Sequence, residues 1–355
     1  MSNLEILKRL SLDQKESNGF LILDAANLLY FTGFPAGAGL LVSQASEPIL
    51  FVYHLNYLQA EIEVEDFHLH SLKRGGKFME RIADRVKTLG IQRLAVDTLT
   101  WQNYRKLTQN LSGNTEIELK DEVIWKLRKV KDEEEFNLMR KAAQLTSKGM
   151  EAGCKAIKPG IREYEVAAEI EYAMRKKGSE GTAFQTIVAS GPRSAFPHGG
   201  CTDRKIREGD LVVVDIGAIY QHYRSDMTRT VCAGEPSKKQ KEIYKIVKQA
   251  QEEAFQALKP NAEAQEVDQA ARKVIQEAGY GDYFVHGLGH GVGLEIHEPP
   301  TLNSESKDQL KAGNVVTIEP GIYLEEFGGI RIEDTVLVRS DEPEKLTQGP
   351  YTLKS

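Results

Sequence analysis

The sequence is poor in cysteine, in tryptophan and in unbroken apolar stretches, and each shortage excludes something. Three cysteines in 355 residues (Cys154, Cys201 and Cys232) are odd in number and lie in no paired motif. That excludes a disulfide framework and fits a reduced compartment. No apolar run approaches the roughly 20 residues of a membrane span, so no membrane association is expected. The opening Met-Ser-Asn-Leu-Glu-Ile-Leu-Lys-Arg-Leu carries charges throughout and does not read as a signal peptide, so a cytoplasmic location is expected. An excess of basic residues is also missing: 46 Lys and Arg stand against 52 Asp and Glu, a net charge of -6. That balance argues against a general nucleic-acid binder. Histidine is scarce too, with 8 in the chain, so a local cluster of it carries information.

What is present is the composition of a soluble globular protein, 41% hydrophobic and 28% charged. At 355 residues the chain exceeds one ordinary core, and two domains are expected. Residues 1–125 alternate strand-like and helix-like segments. Gly19-Phe20-Leu21-Ile22-Leu23, Leu40-Leu41-Val42, Ile49-Leu50-Phe51-Val52-Tyr53 and Leu94-Ala95-Val96-Asp97 read as strands. Phe78, Ile82, Val86 and Leu89 recur at helical spacing before Gly90. This is an α/β domain, and its histidines His54, His68 and His70 fall in no spacing tied to chemistry.

The charged joint from Lys126 to Glu135 opens the second domain, residues 126–355. Asp132 and Glu135 have the spacing of an N-cap and its capping-box partner, so a long helix should follow with Phe136, Met139, Ala143, Thr146 and Met150 on one face. The domain holds an internal repeat. Ala156-Ile157-Lys158-Pro159 recurs 101 residues later as Ala257-Leu258-Lys259-Pro260, Glu165-Val166 as Glu266-Val267, and Gly178 as Gly279. Ser237 and Gln240 form the second capping box. A duplicated α/β unit with a pseudo-twofold axis is expected, and ligand clefts commonly form at such a seam.

The stretch from Asp210 to Tyr220 is the most telling. Leu211-Val212-Val213-Val214-Asp215-Ile216 should be a buried strand, where a bare carboxylate would lose several kcal/mol in desolvation. Asp226 lies 11 residues beyond Asp215. A hairpin reversing near Tyr220-Gln221 would set the two opposite each other on one face. Such a pair either shares a proton or shares a cation.

Two further clusters bear on that choice. His286, His290 and His297 lie within twelve glycine-rich residues. Glu319 ends an apolar strand at a Pro-Gly break, and Arg331 and Glu333 alternate with Ile330 and Ile332, so both point to one face. Arg331 and Glu333 taken alone would equally suit a buried salt bridge. Taken together, two Asp, two Glu and at least one His beside apolar strands suit two divalent ions, Mn2+ being the natural choice and Co2+ or Zn2+ the alternatives. The chemistry is then metal-assisted hydrolysis.

At this point the sequence resembles the pita-bread metallopeptidases: prolidase (Xaa-Pro dipeptidase), aminopeptidase P and methionine aminopeptidase. The resemblance rests on Phe184-Gln185-Thr186-Ile187-Val188-Ala189-Ser190-Gly191, Pro197-His198-Gly199, Asp215-Ile216-Gly217 and Ser225-Asp226-Met227-Thr228-Arg229-Thr230. It continues through His286-Gly287-Leu288-Gly289-His290, Ile318-Glu319-Pro320-Gly321-Ile322-Tyr323 and Arg331-Ile332-Glu333-Asp334. Asn27-Leu28-Leu29-Tyr30-Phe31-Thr32-Gly33-Phe34 resembles the N-terminal domain of the Xaa-Pro peptidase branch, which methionine aminopeptidases lack. The fold so implied is a creatinase-like α/β domain followed by a pita-bread domain.

The resemblance implies Asp215, Asp226, His290, Glu319 and Glu333 as metal ligands, with Asp226 and Glu333 bridging two ions. It implies that His198, His286 and His297 bind substrate and stabilise the intermediate, that Arg331 positions substrate, and that Glu319 shuttles the proton. Tyr323 is expected at the substrate. Arg193 and Phe196, ahead of His198, are expected to border it. The implied activity is hydrolysis of the bond before proline, in Xaa-Pro dipeptides first and in Xaa-Pro-Yaa peptides as the alternative. A homodimer is implied by family habit. From another class, a non-catalytic pita-bread module that binds proteins is the competing reading; its signature would be lost ligands, and none is lost.

Overall fold

A computed structural model describes residues 3–9, 17–44, 46–73, 75, 77–111, 113 and 115–354. It divides into two compact units, residues 1–128 and 129–355. The helix Asp121–Arg128 runs through the joint expected at Lys126 and belongs to the first unit.

The first unit is built on a six-stranded mixed sheet. Its order is His68–Leu72, Ile49–Tyr53, Gly37–Ser43, Gly19–Ile22, Arg93–Val96, Glu116–Leu119. Phe20, Leu21 and Ile22 are fully buried in the Gly19–Ile22 strand, which pairs antiparallel with one neighbour and parallel with the other. Asn27 to Thr32 of the Asn27–Phe34 segment lie in the helix Ala25–Thr32. Asp24 caps it by accepting from the Ala26 and Asn27 amides, and Gly33 ends it at φ 66°.

The second unit carries the repeat as expected. Two helix pairs, Glu133–Ala156 with Glu163–Lys176 and Lys238–Ala257 with Ala264–Glu277, pack within themselves. The second member of each pair begins at 163 and at 264, the same 101-residue offset. Both capping boxes form, Asp132 with Glu135 and Ser237 with Gln240.

Strand Leu211–Ile216 is the hinge of the arrangement. It lies between Ile187–Ser190 and Met227–Cys232. Alternation along the strand sends Val212, Val214 and Ile216 into the apolar cluster under the first helix pair. Leu211, Val213 and Asp215 therefore face the other way, and Leu211 joins the core of the second half. The expected run to Tyr220 breaks at Gly217, where a side chain would collide with the Ser225 carbonyl. Beyond it the turn is Gln221-His222, both at positive φ, a two-residue hairpin turn of the type that matches strand twist.

That turn lies one residue later than expected, which moves every pairing by two. Thr228, not Asp226, is the partner opposite Asp215. A shift of two preserves the face, so Asp226 still lies on the same side, diagonal to Asp215. The second half supplies a five-stranded sheet, Glu298–Leu302, Gly289–Gly291, Val315–Ile318, Asp334–Leu337, Glu344–Lys345, and the two-stranded ribbon Gly321–Leu324 with Gly328–Arg331. Among the described residues no helix is long and apolar enough to cross a membrane.

Candidate metal centre

Five donors reach one place from five separate strand positions. Asp215 stands near the end of its strand, and Asp226 lies immediately before Met227–Cys232. His290 is the middle residue of Gly289–Gly291. Its flanking glycines allow the strand to press against the Thr317 and Glu298 carbonyls, which a side chain would meet at collision distance. Glu319 follows Val315–Ile318 and is fixed by its amide to the Leu288 carbonyl at 2.8 Å. Glu333 sits between two strands, with its amide 3.1 Å from the Thr228 carbonyl.

Nε2 of His290 lies 3.4 Å from Glu319 Oε1 and 3.7 Å from Asp226 Oδ2. One ligand atom each from Asp226, His290 and Glu333 falls within 4.8 Å of the others. All five line a cavity of about 490 Å3, with His198, His286, His297 and Arg331.

This donor set fits divalent cations. Two buried carboxylates, Asp226 and Glu333, and two half-buried ones, Asp215 and Glu319, crowd around Arg331 and His290, and unpaired charge in such surroundings is strongly disfavoured. Burial first, then the Glu333, Asp215 and Glu319 charges, hold the Asp226 carboxyl well above its ordinary range. Glu333 is raised in the same way, by burial and by the Glu319 and Asp215 charges. Burial also raises Asp215, against the pull of Arg331. Glu319 is opposite: burial would raise it, but His290 and Arg331 draw it down to about 2. Asp215 Oδ1 and Asp226 Oδ1 are buried without a hydrogen-bond partner. Carboxylate oxygens crowded together and unpartnered are what a hard or borderline divalent ion accepts.

The imidazole is turned to suit. His290 Nδ1 lies 3.0 Å from the Gly291 carbonyl and donates to it, so Nε2 is the ring nitrogen turned to the carboxylates and becomes a ligand when a metal displaces its proton. Behind them, Arg331 donates to Asp215 Oδ2 at 2.7 Å, to Thr228 Oγ1 at 3.1 Å and to the Tyr323 hydroxyl at 2.8 Å. Thr228 in turn donates to Glu333 Oε2 at 2.6 Å. One guanidinium thus ties together two of the candidate ligands.

Residues 137–340 match the model of metallopeptidase family M24, and residues 8–130 that of the creatinase/prolidase N-terminal domain. The chain belongs to metallopeptidase family M24. It is 43% identical to the Xaa-Pro dipeptidase of Pyrococcus furiosus over 95% of both chains. It is similar to the prolidase structure from Pyrococcus horikoshii OT3, at 39% identity, 99% coverage of each chain and a TM-score of 0.92. The X-Pro aminopeptidase structure from Thermotoga maritima gives 36% identity, 100% coverage of this chain, 99% of that one and a TM-score of 0.91. An M24 metallopeptidase is a hydrolase that works with divalent metal ions.

Within this M24 site the other sequence expectations divide. His198 and His297 line the cavity with exposed imidazoles, and the His297 ring meets His290 edge-on at 4.3 Å. His286 also lines it, yet both its ring nitrogens are committed, one 2.8 Å from the Gly287 carbonyl and one 2.9 Å from the Tyr323 hydroxyl. Tyr323 itself is buried behind the cavity rather than at its surface, because its hydroxyl is held between His286 and Arg331.

Arg193 does not border the cavity either. It donates to the fully buried Glu163 and to the Gly199 carbonyl, so it pins the loop that carries His198. Phe196 lies 60% exposed outside the cavity lining. Residues not singled out for a role include Thr228, which occupies the Asp226 face two positions on, and Ile296, Thr301 and Asn303 in the lining. Alternation from Asp226 was the available signal for Thr228.

Proposed function

We propose that the chain hydrolyses the peptide bond preceding proline in Xaa-Pro dipeptides, using two divalent ions, Mn2+ first among them, held by Asp215, Asp226, His290, Glu319 and Glu333. The observation that carries this reading is the convergence of these five donors, two with unpartnered buried oxygens, in one cavity. The full-length similarity to a Xaa-Pro dipeptidase supports the substrate class.

When bound, a pair of divalent ions supplies Lewis acidity, acidifying an attacking water and polarising the scissile carbonyl. The protein supplies the rest. Asp215, Asp226, His290, Glu319 and Glu333 would hold the ions. Arg331 holds Asp215 in orientation. Glu319, which lines the cavity, would accept the water proton and deliver it to the departing proline nitrogen. His198 and His297, exposed to the cavity, face the developing oxyanion and the substrate ends. Proline offers no N–H and a fixed φ, so recognition falls to shape. Phe184, Ile187, Pro197 and Ile296 provide apolar walls for the ring. A cytoplasmic homodimer completes the proposal.

A second reading, release of the N-terminal residue from Xaa-Pro-Yaa peptides, draws on the similarity to the Thermotoga maritima X-Pro aminopeptidase. A panel of Xaa-Pro dipeptides and Xaa-Pro-Yaa tripeptides, assayed with Mn2+, Co2+ and Zn2+, decides between them. Cleavage of dipeptides, strongest with Mn2+, is expected. Turnover of tripeptides alone would replace the first reading by the second. Cleavage of neither, together with tight binding of a protein partner, would leave a non-catalytic module.

A further inference from the structure

Behind Glu333 lies a buried polar network that the reaction does not use. Asp334 is fully buried and accepts four hydrogen bonds. Arg229 Nη2 gives one at 2.9 Å, Gln251 Nε2 one at 3.0 Å, Thr347 Oγ1 one at 2.8 Å, and the Tyr351 hydroxyl the fourth. Arg229, itself 1% exposed, spends its other terminal nitrogen on the backbone carbonyls of Thr228 and Glu333, at 2.9 and 2.6 Å. Its guanidinium lies 4.4 Å from the centre of the Tyr351 ring, and Lys345 Nζ donates to the Tyr351 hydroxyl at 2.9 Å.

Two of Asp334's four donors come from one piece of chain, the segment after Lys345. That segment is also stitched to the same strand through its backbone. The Leu346 amide meets the Thr335 carbonyl at 2.9 Å, and the Thr335 amide meets Thr347 Oγ1 at 3.2 Å. Thr335 Oγ1 in turn accepts from the Asp226 amide at 3.0 Å and donates to the Asp226 carbonyl at 2.8 Å. The backbones of Asp226 and Glu333 are therefore both fixed from behind, one through Thr335 and one through Arg229. Tyr351 and Thr347 close the array.

We propose that Tyr351 and Thr347 are positioning residues for the metal centre. They lock Asp334, Asp334 orients Arg229, and Arg229 fixes the Glu333 main chain at the place its carboxylate must occupy. Outer partners of this kind tune ligand geometry, and their loss typically costs about 10- to 100-fold in metal affinity. The inference rests on the ligand assignment proposed above for Asp226 and Glu333.

The test compares Tyr351→Phe and Thr347→Val with the wild type and with Asp226→Asn, all as full-length chains. Mn2+ affinity is measured by titration against a competing chelator, and the Co2+-loaded proteins are compared by their visible absorption bands, which report coordination geometry. Far-UV circular dichroism and melting of the chelator-treated proteins monitor the fold. The expected result is Mn2+ affinity weakened about 10-fold or more in Tyr351→Phe, less in Thr347→Val, with altered Co2+ bands and retained fold. Affinity and bands equal to wild type in both variants would overturn the proposal even if melting fell, since that is what a purely structural contact does. If Tyr351→Phe does not fold, Thr347→Val, which keeps the side-chain shape and removes one donor to Asp334 together with the acceptor of the Thr335 amide, decides. Loss of metal in Asp226→Asn with none in the other two sinks only this proposal; wild-type binding in Asp226→Asn sinks the ligand assignment.

Discussion

The Tyr323 hydroxyl lies 2.9 Å from Nε2 of His286 and accepts from Arg331 at 2.8 Å, so its own proton goes to the imidazole. With the other ring nitrogen donating to the Gly287 carbonyl, His286 is held as a neutral ring of one tautomer. Burial, reinforced by the Arg331 charge, lowers its pKa accordingly. Tyr323→Phe removes the link and leaves Arg331 and His286 each short of a buried partner, a loss of about 1–3 kcal/mol. The expected outcome is a roughly 10- to 100-fold fall in kcat/KM at unchanged metal content. Steady-state kinetics paired with metal analysis check it, and a wild-type rate would remove Tyr323 from the working site.

Asp226→Asn is expected to lose metal and more than roughly 1000-fold in activity, equivalent to about 4 kcal/mol of transition-state stabilisation. The same substitution removes a carboxyl crowded by Glu333, Asp215 and Glu319. After chelator treatment at neutral pH, the variant should therefore melt above the wild type. Unchanged metal content would end the bridging assignment.

The raised carboxyls make the metal-free protein sensitive to base. Asp226, Glu333 and Asp215 hold protons more tightly folded than unfolded. Their contribution is complete below the unfolded value of about 4 and is lost as pH rises through the folded values. His290 is also raised, through Glu319 against the effect of burial, so its contribution too is lost with rising pH. Glu319, depressed to about 2, contributes stability across this whole window. The difference in melting temperature between metal-loaded and chelator-treated protein should widen from pH 5 to pH 8, and metal uptake should release protons. A gap that is constant or narrows with pH would refute this.

Arg193→Ala should act through the loop it pins. The buried Glu163 carboxylate keeps Ser190 and Thr202 as donors but loses its cation, at about 1–3 kcal/mol. With Gly199 released, Pro197 and His198 lose their fixed place, so KM should rise more than kcat falls. Urea unfolding and the two kinetic constants measure the two effects separately. An unchanged KM would show that the loop keeps its place without Arg193.

Much of this was legible from local pattern. Asp215 announced itself as a carboxylate inside an apolar run, and the capping boxes at Asp132 and Ser237 marked helix starts because their chemistry spans only three residues. The hairpin register was not legible, because Gln221 and His222 take the left-handed turn without the glycine that usually signals it. Nor were the placements of Arg193 and Tyr323. Each side chain is long enough to reach either the cavity or its supports, and the choice depends on partners such as Glu163 and His286, 30 and 37 residues away. The Asp334 network was hidden for the same reason, since Arg229 and Asp334 stand 105 residues apart.

The 101-residue repeat carries an implication for how the chain matures. Asp215 and Asp226 belong to the first half, and His290, Glu319 and Glu333 to the second. Neither half alone carries the five donors proposed for the metal centre. On the ligand assignment proposed above, the full donor set exists only once residue 333 has been synthesised and packed against the first half. On that assignment the complete metal centre forms late in folding, and a chain with mismatched halves lacks the full donor set on which peptidase activity is proposed to depend.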